Sequence, residues 1–304
     1  NPVEGQVWYN TTSNVLKGLG VSTDAFASGG NTNLARHSMG GTATNTTNAL
    51  IFGGRAEPPL PKTANTESYN GTSWTEVNNL GTARYGLGSS GTSNTSALGF
   101  GGYRTAAGGN FAGTETWNGP GAGTATSALY MMAYASPATP AYVESWNGTN
   151  WTETTDINNA RSYGSAIGTS NTAVLAIGGA PTPLGAQVEQ WNGSNWTEVN
   201  DLNTARSRAN CGGTYTEGVV FGGEGPPDSA ATEIWNGTNW TTSAATLSAA
   251  RAKMQTGPMG TSTSAIAAGG TPVNGTTATE EWSGAAPIVR TFTGVPPAAI
   301  ADVE

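Results

Sequence analysis

Apolar residues in this chain gather in short runs that end in glycine. Ala49-Leu50-Ile51-Phe52-Gly53-Gly54, Ala97-Leu98-Gly99-Phe100-Gly101-Gly102, Ala173 to Gly179, Gly218-Val219-Val220-Phe221-Gly222-Gly223 and Ala265-Ile266-Ala267-Ala268-Gly269-Gly270 are too short for ordinary helices. Such runs predict buried strands in a crowded place where backbones approach closely. About a dozen residues after a run, a second phrase recurs: Thr66-Glu67-Ser68-Tyr69-Asn70-Gly71, Thr114-Glu115-Thr116-Trp117-Asn118-Gly119, Val143-Glu144-Ser145-Trp146-Asn147-Gly148, Val188-Glu189-Gln190-Trp191-Asn192-Gly193, Thr232-Glu233-Ile234-Trp235-Asn236-Gly237 and Thr279-Glu280-Glu281-Trp282-Ser283-Gly284. Its glutamates, at 67, 115, 144, 189, 233 and 280, stand 48, 29, 45, 44 and 47 residues apart. All but the short gap fit one four-stranded propeller blade per unit.

Each unit predicts four strands in order. In the fourth, Ala160-Arg161 opens the first, Ala173 to Ile177 forms the second, and Val188 to Trp191 the third; Trp151 and Trp196 mark the fourth strands of successive blades. Between the third and fourth strands, Asn-Gly predicts a type I′ turn, with the flanking aromatics paired across the hairpin. Trp74, Trp151, Trp196 and Trp240 then pack between blades. Asn70, Asn147, Asn192 and Asn236 also fit the glycosylation sequon, but their phase with the blade favours the turn.

Each fourth-strand Trp precedes a first-strand Arg by a fixed interval: Trp74 to Arg84, Trp151 to Arg161 and Trp196 to Arg206 by ten residues, Trp240 to Arg251 by eleven. Phe26 precedes Arg36 by the same ten. The stretch 24–28 therefore reads as a fourth strand without its first three, while the last unit, from Arg251, lacks an aromatic fourth. The two ends complete one blade, and the expected fold is an all-β, six-bladed propeller over 24–284 closed by its terminal strands. The 29-residue gap implies that a fourth strand and crossing segment of about 16 residues are lost after Gly119, so one blade is degenerate. Residues 1–23 read as an N-terminal hairpin for attachment, and 285–304, broken by Pro296-Pro297, as an extended arm.

Composition narrows the function. Charged residues are 11% of 304 positions, with 12 Lys and Arg against 20 Asp and Glu, so there is no basic stripe and no nucleic-acid partner is expected. No apolar window reaches the length of a membrane-spanning helix, and no membrane insertion is expected. The chain starts at Asn1 without a secretory n-region and h-region, which suggests a processed start or a fragment. The single cysteine, Cys211, excludes an internal disulfide and falls in a strand as a small buried hydrophobe. With one histidine, His37, and no Gly-x-Ser-x-Gly elbow, no serine triad can be assembled elsewhere. The expectation is no catalytic residue, no metal and no cofactor.

Two sets of residues remain. Arg36, Arg84, Arg161, Arg206 and Arg251 recur in phase, as do Glu67, Glu115, Glu144, Glu189, Glu233 and Glu280. Either the arginines ring one mouth of the channel and capture an acidic group, or each pairs with a phased glutamate, because a half-buried charge needs a partner. The shortened unit lacks its Arg, so one glutamate should lack that partner. The second set lies on the connections between second and third strands, which vary most and emerge with the first-strand entries on one face: Arg55, Tyr103, Arg104, Phe111 and Tyr142 suit stacking on, or hydrogen bonding to, a glycan.

The Gly-Gly after an apolar strand, the Glu-x-Trp a dozen residues on, the following Trp and the Arg ten beyond together resemble a Kelch-type propeller repeat, across nearly the whole ring. The low-charge, self-similar style, rich in Thr, Asn and Gly, resembles Kelch-like virion proteins of marine tailed phages. Pro2-x-x-Gly5-x-x-Trp8-Tyr9-Asn10 with Leu16-Lys17 is similar to a small module of phage tail and fibre proteins. The resemblance implies a non-enzymatic structural protein on the extracellular surface of a phage particle, partnered by other virion proteins and binding a host-surface glycan or receptor. A purely structural decoration subunit and a cellular Kelch interaction module are the alternatives.

Overall fold

A computed structural model of the chain describes residues 6–10, 15–56, 62–104, 112–118, 127–132, 141–180, 185–254, 257–271, 275–285 and 287–292. Every regular element described is a strand. The residues divide into two compact units, 26–283 and the two termini 1–25 with 284–304.

The larger unit is a six-bladed β-propeller. Blade 1 is an antiparallel sheet of Gly40–Asn45, Asn48–Phe52, Thr66–Tyr69 and Trp74–Val77. Blade 4 (Ser165–Ser170 to Trp196–Val199) and blade 5 (Asn210–Gly213 to Trp240–Thr242) repeat that order. Blade 6 pairs Ser264–Ala268 with Thr279–Ser283 and then with Ala25–Ser28, so the stretch around Phe26 supplies the outer strand of the last blade, as its spacing from Arg36 implies. Phe26 packs edge-on to Phe221 and against Trp282, with ring centroids 5.5 and 5.1 Å away.

The degenerate place lies where the short gap puts it. Among the described residues, blade 2 (Gly88–Ser93, Ser96–Phe100, Thr114–Asn118) lacks a fourth strand and blade 3 (Ala128–Tyr130, Val143–Trp146, Trp151–Thr154) lacks a first. The ring still closes through interblade bonds: Gly41 to the Ser89 hydroxyl, Ser90 to Ser127, Tyr163 to Met132, Ser165 to Ala209, Met259 to Cys211 and Ala43 to Pro258. The core is correspondingly divided. Apolar clusters lie between consecutive blades, such as Ile167, Leu175 and Ile177 against Cys211, Val220 and Trp235, and the smallest joins Leu98 and Phe100 to Ala128 at the degenerate place.

The glycine pairs follow from this crowding. A Cβ on Gly53, Gly178, Gly222 or Gly269 would stand 2.4 to 2.7 Å from the carbonyl oxygen of the next blade's phased arginine, and the following glycine donates its N–H to that same oxygen. All eight glycines have φ between 58° and 123°, where other residues are strained.

The Asn-Gly turns correct the sequence reading. Tyr69 faces Trp74 and Trp191 faces Trp196 across four-residue loops, not two-residue ones. Only the glycine has positive φ, so these are not type I′ turns; the asparagine Oδ1 instead accepts N–H bonds from residues two and three ahead. The longer loop lets the aromatics pair, at 4.8 Å for Tyr69 with Trp74 and 5.1 Å for Trp191 with Trp196.

In the second unit, Val7–Asn10 pairs with Val15–Val21, which in turn pairs antiparallel with Pro287–Phe292. The tail read as an extended arm therefore begins as an extended, hydrogen-bonded strand; 293–304 lie outside the described residues.

Candidate functional site at the mouth of the central cavity

The phased charges stitch the ring together. Arg36 binds Glu67 at 2.7 Å, Arg84 binds Glu115 at 3.0 Å, Arg206 binds Glu233 and Arg251 binds Glu280 at 2.5 Å, and Arg161 binds Glu189. All five arginines are buried, and burial lowers the Arg36, Arg84, Arg206 and Arg251 pKa values against the opposing pull of their glutamates. Further guanidinium donors reach carbonyls of the same blade: Arg206 reaches Gly222 at 3.0 Å and Ala231 at 2.9 Å. Each glutamate has a second role that sequence reasoning missed. Its other oxygen accepts the backbone N–H three residues before the arginine, from Asn33, Gly81, Asn158, Asn203 or Ser248, at 2.7 to 2.8 Å. One carboxylate thus ties the segment arriving from the previous blade to its own blade. Glu144, whose blade lacks the crossing segment, is exposed and forms no ion pair among the described residues.

None of these arginines lines the cavity at the centre of the ring, so the alternative of a phased arginine ring at its mouth does not apply. The cavity, of about 900 Å³, is walled by the innermost strands and by groups they carry at one end: His37, Arg55, Tyr85, Tyr103, Tyr163, Arg208 and Lys253. Their positions are set by a backbone collar. Two residues beyond each phased arginine stand Ser38, Gly86, Tyr163, Arg208 and Lys253, and Met132 occupies the corresponding place in blade 3; all six have φ between 50° and 62°. Gly86 donates to Ser38 O, Ser38 to Lys253 O, Lys253 to Arg208 O, Arg208 to Tyr163 O and Tyr163 to Met132 O, at 2.6 to 3.1 Å. A second tier of bridges joins the first-strand entries to the second-to-third connections: Tyr85 with Tyr103, Ser162 with Ala180, Ser207 with Glu224, and His37 with Arg55.

Within this frame Arg208 lies over the Tyr163 ring, its guanidinium carbon 3.8 Å from the centroid. Tyr85 and Tyr103 stack at 5.7 Å, with Arg55 5.9 Å from the Tyr85 centroid. Glu224 bridges Arg208 and, at 3.5 Å, Lys253. Burial and the facing Lys253, Arg55 and Arg208 push His37 down to about 4, so its imidazole is neutral at neutral pH. Of the sequence-predicted binding residues, Arg55 and Tyr103 belong to this mouth; Arg104 is exposed beside Tyr103; Tyr142 is 64% exposed on the connection into Val143–Trp146 and does not line the cavity; Phe111 lies outside the described residues. The missed members had one signal, a position one or two residues beyond a phased arginine. No group of three or more His, Cys, Asp or Glu suited to a metal ion exists among the described residues.

No protein-family model and no curated protein matches the chain. Among solved structures, one described as the structure of YjhT is similar, with a TM-score of 0.60 at 12% identity over 87% of this chain and 99% of that one. Another, a novel fungal alcohol oxidase with catalytic diversity among the AA5 family in complex with copper, gives a TM-score of 0.47 at 12% identity over 81% of this chain and 62% of that one. At this identity the likeness to YjhT is one of fold. The class is an all-β propeller, six-bladed, with an open, cation-bearing mouth.

Proposed function

We propose that this chain is a non-enzymatic virion protein of a tailed phage whose propeller binds a glycan or protein on the host surface. The observation that carries the binding role is the convergence, on one face, of first-strand entries and second-to-third connections whose backbones are bridged alike while their side chains differ from blade to blade. A rigid frame presenting unlike groups at equivalent positions suits recognition. The virion role is supported by the Kelch-type resemblance of the repeat and by the low-charge, Thr-, Asn- and Gly-rich style. The terminal sheet of Val7–Asn10, Val15–Val21 and Pro287–Phe292 offers an element for joining other virion proteins.

The test uses particles bearing the propeller. Replacing Tyr103 and Arg104 with alanine lowers host adsorption by about tenfold or more, the scale of a binding hot spot. Unchanged adsorption with the variant still incorporated would leave only the decoration role, and absence of the chain from purified particles by mass spectrometry would remove the virion role.

A further inference from the structure

The protein carries a formal charge of -8, yet its cations are not spread evenly. Five of its 12 Lys and Arg are consumed by the phased glutamates, and three of the remaining seven, Arg55, Arg208 and Lys253, meet at the cavity mouth. At the mouth one carboxylate, Glu224, holds Arg208 and Lys253, and a second, Glu217, lines the cavity from the hairpin between Asn210–Gly213 and Gly218–Phe221; Arg55 has no ion pair among the described residues. With His37 neutral, three positive charges less Glu224 leave a net of two at the mouth, and a net of one over the whole concave cavity once Glu217 is counted. Such a place attracts an anion more strongly than open surface does.

The shape selects the kind of anion. Tyr85, Tyr103 and Tyr163 are half-buried and line the cavity, with Arg208 over one face of Tyr163 and Tyr85 stacked on Tyr103, and Ser38, Ser89 and Ser165 line it beside them. A volume of about 900 Å³ is that of a small-molecule site. We propose that the mouth binds a carboxylated sugar, its carboxylate held by Arg55, Arg208 and Lys253 and its ring laid on the tyrosines. Guanidinium groups suit a carboxylate because they present paired N–H donors, and tyrosine faces suit the apolar side of a sugar ring better than an extended acidic peptide. The collar keeps these groups in place without a ligand. This inference rests on the reading of the propeller as a binding module, but not on the virion role.

The chain's only histidine reports on the site without ambiguity. Short oligogalacturonate is titrated into the full-length protein by calorimetry, with a galactose oligomer and a glutamate-rich peptide as comparisons, while NMR follows His37. Oligogalacturonate should bind saturably, the neutral oligomer should not, and a bound carboxylate should raise the His37 pKa from about 4. Arg55→Gln combined with Lys253→Asn should weaken binding by about tenfold or more, the scale of a lost hydrogen bond between charged groups; asparagine tolerates the left-handed backbone at that position. Lys17→Gln, which removes a cation on the terminal sheet, should leave affinity unchanged. Absence of saturable binding, equal binding of the neutral oligomer, an unmoved His37, or binding of the peptide in place of the sugar would each overturn the proposal. Failure of the virion reading is scored separately, by particle composition.

Discussion

Replacing Glu233 with alanine tests the stitching directly. Its side chain is fully buried; it holds Arg206 at 2.5 Å, the N–H of Thr204 at 3.2 Å and, through its second oxygen, the N–H of Asn203 at 2.7 Å. Removal leaves a guanidinium that is 2% exposed without its counter-charge, and breaking a buried pair from one side costs about 3–5 kcal/mol. At about 2–4 °C per kcal/mol for large domains, the midpoint of thermal unfolding falls by roughly 6–20 °C. Glu144→Ala is the internal control: the same change at the equivalent position of blade 3, on an exposed side chain without an ion pair among the described residues, shifts stability by no more than about 0.5 kcal/mol. Urea unfolding followed by tryptophan fluorescence gives both values on one scale. Replacing Arg206 with Met at the same time as Glu233 with Leu should recover part of the loss, because the buried charge is gone, but not all, since the Asn203 N–H still lacks its acceptor. Equal effects of Glu233→Ala and Glu144→Ala, or a cost below about 1 kcal/mol for the former, would refute the argument that these carboxylates hold the blades together.

Gly178→Ala should destabilise the fold by more than the usual cost of a left-handed alanine, about 1–2 kcal/mol, because its φ of 58° is joined by a Cβ position 2.4 Å from the Arg206 carbonyl oxygen; Gly81→Ala, whose nearest atom is 3.4 Å away, serves as the comparison in the same urea series. The depressed His37 pKa gives an acid-sensitive contribution: the unfolded chain takes up the proton first, so the contribution is intact above pH 6.5 and is lost as pH falls toward 4. After allowance for partial exposure this is worth about 1–2 kcal/mol, and identical pH profiles for the protein and His37→Gln would exclude it. Cys211 is 1% exposed and its thiol is pushed up to about 12 by burial, so it should stay inert to thiol reagents at pH 8 until the protein is denatured; rapid labelling of the native state would contradict its place between blades 4 and 5.

The architecture was legible because a propeller repeats its physics at each turn. Each complete blade sets a glycine pair beside a neighbour's carbonyl and a carboxylate beside a buried arginine, so the same letters return in phase. Phe26 was assignable to the last blade for that reason: ten residues to Arg36 is the interval by which Trp74 precedes Arg84. The mouth was only half legible. Ser38, Gly86, Tyr163, Arg208 and Lys253 share a backbone conformation and a hydrogen-bonded collar but no chemistry, and φ is not written in residue type when the surrounding ring imposes it. Arg55 and Tyr103 were found because they sit on connections that vary; their neighbours Tyr85, Arg208 and Lys253 were not, because they follow arginines whose regularity drew attention to the scaffold. The second bond of each glutamate went unread for a similar reason: its partner is a backbone N–H, which any residue provides.

Of the propeller's strands, the one around Phe26 is synthesised first and docks last. Its partner, Thr279–Ser283, emerges 251 residues after Ser28, a delay of about 12–50 s at roughly 5–20 residues per second. For that interval the nascent chain carries an apolar strand with no sheet to join, and blades 1 to 5 must stand as an open arc on the ribosome. Ring completion therefore waits for Thr279–Ser283 and couples the docking of the propeller's earliest strand to the synthesis of its latest.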